Sequence, residues 1–152
     1  MLRISLQAAT TLTEWSLRTI RRRIADGTVK CAADEQASYK TMLCFDSIKY
    51  DFCVALTPED LNLIESADAG DSNAQTDLAL LFLQQNKPKS AIYWLELAAK
   101  QQFTDAMQLL GRCYLEGYGL AKDENLALMW ISKAASLGHS IAIEQIQAIR
   151  QG

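Results

Sequence analysis

The sequence predicts a mostly α-helical chain, in which a small helix-turn-helix with a β-hairpin precedes a two-repeat α-solenoid of helix pairs. Three observations carry this reading. A block built around a tryptophan and an alanine pair occurs twice, 36 residues apart, at 93–100 and 129–136. Before residue 56, two short amphipathic helical segments are followed by β-branched and aromatic stretches separated by a polar run. Finally, 49% hydrophobic content over 152 residues suffices for a packed core of one ordinary domain or two small ones.

In chain order, Ser5 is placed to cap a helix from Leu6 to about Leu12, and Thr13 a second from about Trp15 to Ala25, with Gly27 ending it in a left-handed conformation. Leu17, Ile20 and Ile24 share one face of the second helix and are expected inward, with Arg18, Arg21 and Arg22 opposite. Strands are expected at Thr28–Cys31 and Tyr39–Phe45, joined through Asp34 and Glu35 as a hairpin, with a short helix capped by Asp46 or Ser47 after them. Thr57-Pro58-Glu59-Asp60 then begins a leading helix: a threonine cap, a proline in the first turn and acids at the positive end of the dipole.

Two helix pairs follow. Trp94 with Ala98 and Ala99 recurs as Trp130 with Ala134 and Ala135, and the preceding helices match at an offset of 32. The four-residue difference falls in the turn, where the second copy has Gly117-Tyr118-Gly119 and the first runs through Asn86-Lys87-Pro88. A turn is where a helix-pair repeat tolerates an insertion. Small alanines let helices approach closely and the tryptophans are expected to fill wider gaps in the core. A single pair cannot bury its apolar face, so the stack requires caps at its ends.

The string Ala106, Leu110-Gly111, Tyr114, Gly117, Gly119, Asp123, Ala127, Trp130, Lys133-Ala134-Ala135, Gly138 resembles the Sel-one-like repeat family, a tetratricopeptide-like class. The resemblance covers about 58–142. It implies a scaffold that binds a protein partner, for which Gln75, Gln108 and Arg112 are taken as exposed polar candidates.

In the first half, Ser16, Thr19-Ile20, Arg22, Ile24-Ala25-Asp26-Gly27 and the hairpin after them resemble the winged helix-turn-helix domains of the MerR and excisionase families, over about 3–55. That resemblance implies double-stranded DNA binding, with the second helix in the major groove. Ser16, Leu17 and Arg18 would then face base edges, Thr19, Arg21 and Arg22 phosphates, and Lys40 would lie in the wing. The acids at 34 and 35 depart from the basic wings of such families. Domains are accordingly expected at 1–55 and 56–152.

Charge divides along the chain, with eight Lys and Arg against six Asp and Glu up to residue 58 and seven against twelve afterwards, so the halves are expected to meet different partners. No apolar run approaches the roughly 20 residues of a membrane span, and the first fifteen residues lack the apolar core of a signal peptide, so a cytoplasmic protein is expected. Cys31, Cys44, Cys53 and Cys113 form no paired motif and are expected reduced and mostly buried. Gly117 and Gly119 serve a turn, since neither a preceding strand nor a following Lys-Ser marks a phosphate loop. His139 is expected to cap a helix or lie exposed. With no nucleophile set beside a base, the sequence predicts neither an enzyme nor a bound metal or cofactor. The function expected is a small bacterial DNA-binding regulator whose repeats recruit a protein or a second copy as a homodimer. The alternative is an adaptor that binds only proteins and whose winged helix has degenerated.

Overall fold

The computed structural model describes residues 3–32 and 41–151. Strand β1 (Arg3–Ser5) leads into α1 (Leu6–Thr13) and α2 (Leu17–Ala25), and β2 (Met42–Cys44) is followed by single 3-10 turns at Phe45–Ser47 and Lys49–Asp51. Then come α3 (Pro58–Asp68), α4 (Ser72–Gln84), α5 (Pro88–Lys100), α6 (Thr104–Glu116), α7 (Glu124–Ser136) and α8 (Ser140–Gln151).

Local rules explain most boundaries. Ser5 caps α1 by accepting from the Ala8 amide at 3.1 Å. Thr57 and Asp60 form a reciprocal capping box at α3, with Pro58 at its start. Gly27 is left-handed at φ 83°, and Gly117 at φ 68° closes α6. His139 accepts from the Ala142 amide through Nδ1, which caps α8, while Nε2 meets Asp105 at 2.7 Å.

Several expectations for the first half change. The cap of α2 is Ser16, which accepts from the Thr19 amide at 3.1 Å; Thr13 instead donates to Ala9 O and accepts from the Trp15 amide. The β2 strand is shorter than Tyr39–Phe45, and 3-10 turns replace the helix expected after it. Facing it, Lys30–Ala32 supplies only an isolated bridge, Cys31 to Leu43, flanked by the bonds Ala32 N to Met42 O and Cys44 N to Lys30 O. The other edge of β2 pairs antiparallel with β1, Ile4 opposite Leu43, a strand the sequence gave no reason to expect. Residues 34 and 35 and Lys40 lie outside the described residues.

The first half docks on the helical stack through one continuous core that runs from Ile4, Leu12 and Ile20 to Leu78, Trp94 and Leu110. Polar bonds fix the seam. The Ser5 amide and hydroxyl donate to the two oxygens of Asp68 at 2.7 and 2.6 Å, tying the start of α1 to the end of α3. From α5, Ser90 donates to Thr11 O at 2.7 Å and Trp94 Nε1 donates to Thr11 Oγ1 at 3.1 Å. The Gln85 amide closes a two-bond ring with the backbone of Ala55, and Lys87 meets Glu14 at 3.4 Å.

The two tryptophans are therefore not equivalent. Trp94 is fully buried beneath α1, whereas Trp130 is half-buried, with the Lys133 ammonium 5.1 Å from its ring. Among the cysteines only Cys113 is buried; Cys44 and Cys53 are half-buried and Cys31 is exposed, so the expectation that most are buried does not hold, although all four are free.

Close approach is concentrated at two glycines. A Cβ at Gly111 would sit 2.5 Å from Ile131 Cγ1, and one at Gly119 would sit 2.8 Å from the backbone of Pro88. Gly111 sets how near α7 comes to α6.

Two outcomes follow for equilibrium urea unfolding. Trp94→Ala is expected to lower stability by about 3–5 kcal/mol, against about 1–2 kcal/mol for Trp130→Ala, because only the former opens a cavity. Gly111→Ala is expected to lose about 1–2 kcal/mol, since overpacking against Ile131 outweighs the gain of a better helix former, and Ile131→Val added to it should recover part of the loss.

Candidate protein-binding surfaces

Helices α4 and α6, the first members of each pair, leave an open groove between them. Leu80, Leu83 and Leu109 form its apolar floor, Arg112 and Glu116 its rim, and its volume is about 210 Å³. Leu80 remains 37% exposed there, although its neighbours Leu78, Ala79 and Phe82 are buried. One end is closed by Tyr118, which bonds through its hydroxyl to Asn86 Oδ1 at 3.0 Å and so links the turns of the two repeats. Arg112 Nη2 lies 3.7 Å from Glu116 Oε1, one helical turn on, an exposed pair that a competing charge can open.

Cys113 shares this wall, yet burial first and the Glu116 charge second push its thiol up to about 11. It stays protonated at neutral pH and offers no nucleophile. Among the described residues, no cluster of three His, Cys, Asp or Glu could hold a metal ion, and no helix is long and apolar enough to cross a membrane.

Of the three residues proposed for partner contact, Arg112 is exposed but Gln75 and Gln108 are not, at 3% and 4% exposure. Gln75 Nε2 donates to Ala67 O at 3.0 Å, and its Oε1 accepts from Gln101 Nε2 at 2.9 Å. Gln108 Nε2 donates to Gln145 Oε1 at 3.2 Å. These amides bond neighbouring helices together. The repeat itself carried the signal: at the 32-residue offset Gln75 aligns with Met107 and Gln108 with Thr76, both positions buried to 3% exposure.

On α2, Arg18, Arg21 and Arg22 are exposed, as is Ser16, while Leu17 and Thr19 are half-buried. The Ser16 and Thr19 hydroxyls lie 3.1 Å apart, bonded to each other at the cap. The Asp26 carboxyl at the far end is held below its usual range, chiefly by hydrogen bonds from Thr28 and less by Arg23 and Arg22. The sequence gave no reason to single out Arg23. Its guanidinium lies 4.1 Å over the Trp15 ring, so Trp15 is half-buried beneath a cation instead of in the core proper, and Arg23 Nε is buried without a partner.

Comparison with known proteins places the repeats. The family model described as Sel1 repeat matches residues 72–103 and 104–139. Human wolframin is 30% identical over 86 residues, 52% of this chain and 10% of wolframin. A crystal structure of a Sel1 repeat protein from Oxalobacter formigenes is similar at TM-score 0.54 and 30% identity, covering 57% of this chain and 26% of that one. This chain thus spans a tenth of the first relative's length and about a quarter of the second's. The family match lies wholly within α4 to α7 and the turns that follow them, and nothing in these comparisons supports the winged helix-turn-helix resemblance of the first half. Residues 72–103 and 104–139 are two Sel1 repeats, stacked behind an amino-terminal module that covers Trp94.

Proposed function

We propose that this protein is a protein–protein adaptor whose Sel1 repeats hold a segment of a partner in the α4–α6 groove. The reading rests on one observation: Leu80, Leu83 and Leu109 line an open groove in the repeats, while the polar groups nearby at Gln75 and Gln108 bond within the fold. At about 210 Å³ the groove falls below the roughly 300–1,000 Å³ of typical small-molecule sites. It suits one or two apolar anchor side chains of a longer segment. The acidic excess after residue 58 favours approach of a basic partner, and Arg112, released from Glu116, would orient a carboxylate or backbone carbonyl at the rim.

A second reading keeps the first half as a duplex-DNA contact, because three guanidinium groups stand exposed along α2. The adaptor reading is preferred, since the amino-terminal module has a structural role in covering Trp94 that needs no nucleic acid.

Affinity capture with the full chain as bait separates the two. Leu80→Glu with Leu109→Glu is expected to lose the captured protein at least tenfold, while Arg18→Ala with Arg22→Ala retains it. Retention by the groove variant contradicts the proposal. Retarded migration of random duplex DNA at low salt, lost only with the arginine variant, favours the second reading.

A further inference from the structure

The repeat register continues into α8. The second repeat ends at residue 139, so Ser140 takes the place of Thr104, and Ala142 that of Ala106; both alanines are 0% exposed. The next positions differ sharply. Met107, Leu110 and Cys113 of α6 are 3%, 1% and 5% exposed, whereas their counterparts Ile143 and Ile149 are 36% and 48% exposed and Ile146 is half-buried. In α6 the following helix, α7, seals this side. In α8 the side is equally apolar and uncovered.

A helix like α7 does not fit there. It approaches α6 at Gly111, where even a Cβ would collide with Ile131, and the residue at the matching place in α8 is Gln147. A helix held farther away by interdigitating larger side chains can fit. The charges of α8 indicate which one. It carries one acid, Glu144, and one base, Arg150, near opposite ends. A parallel copy would set like against like, while an antiparallel copy brings each Glu144 toward the other's Arg150 about a crossing at Ile146 and Gln147.

We propose that two copies of this chain associate through α8, packed antiparallel about a two-fold axis. This surface is distinct from the α4–α6 groove, and the inference does not rest on the adaptor reading. A single helix pair lies at the small end of specific interfaces, below about 1,200 Å², so the dimer is weak, with a dissociation constant on the order of micromolar.

Sedimentation equilibrium of the full chain tests this. The mass should rise from 16.9 kDa toward twice that value with concentration. Ile143→Asp should raise the dissociation constant about thirty-fold or more, as a central interface truncation does. Glu144→Arg should raise it about tenfold, and adding Arg150→Glu should restore it, a rescue that lost folding cannot mimic. Leu80→Glu should leave the dimer unchanged. A wild-type chain that stays monomeric to about 100 µM, or a dimer indifferent to Ile143→Asp and Glu144→Arg, overturns the proposal.

Discussion

The structure depends on the burial of Trp94 under α1. Its ring is inaccessible to solvent, and its one polar atom is satisfied by Thr11 Oγ1, which itself donates to Ala8 O within the same helix. Were α1 absent, α5 would present an indole, the Ser90 hydroxyl and part of the face containing Ala91 and Leu95 to water. Burying an aromatic ring of that size and satisfying its N–H is among the larger single contributions a small core receives. The amino-terminal module thus acts on the repeats as a terminal cap acts on a solenoid, and the Ser5–Asp68 and Gln85–Ala55 bonds fix its orientation.

Within the repeats, spacing is set by what is missing from side chains. Gly111 lets Ile131 approach the α6 backbone, and Gly119 lets the long turn lie against the start of α5. That contact explains why the second turn is longer than the first. It crosses back to the preceding pair, and its Tyr118 reaches Asn86 in the equivalent turn. Apolar surface is then left in two places, the α4–α6 groove and the outer side of α8, because the stack has no further layer there.

The repeats were legible because they occur twice: the tryptophan-alanine blocks, the caps at Thr57 and Asp123, and the glycine turn all declare themselves by spacing. Burial of individual polar residues was less legible. Gln75 and Gln108 look like surface residues by type, and only their alignment with Met107 and Thr76 marks them as interior. In the first half, short segments supply little periodicity. Ser16 and Thr13 are equally good caps by composition, and the pairing of β1 with β2 spans about forty residues that no local rule connects. Trp130 was misplaced in the core for a related reason: repetition makes the two tryptophans look alike, yet only one has a module lying over it.

Whether the amino-terminal module and the repeats form one cooperative unit is measured most directly by native-state hydrogen exchange on the full chain. The account predicts that the core amides of α1, around Ala9 and Leu12, exchange only through the same global opening as those of α5 around Trp94 and Leu95, with opening free energies equal to within about 1 kcal/mol. Exchange of the α1 amides through an independent opening several kcal/mol cheaper, with α5 still protected, would contradict it.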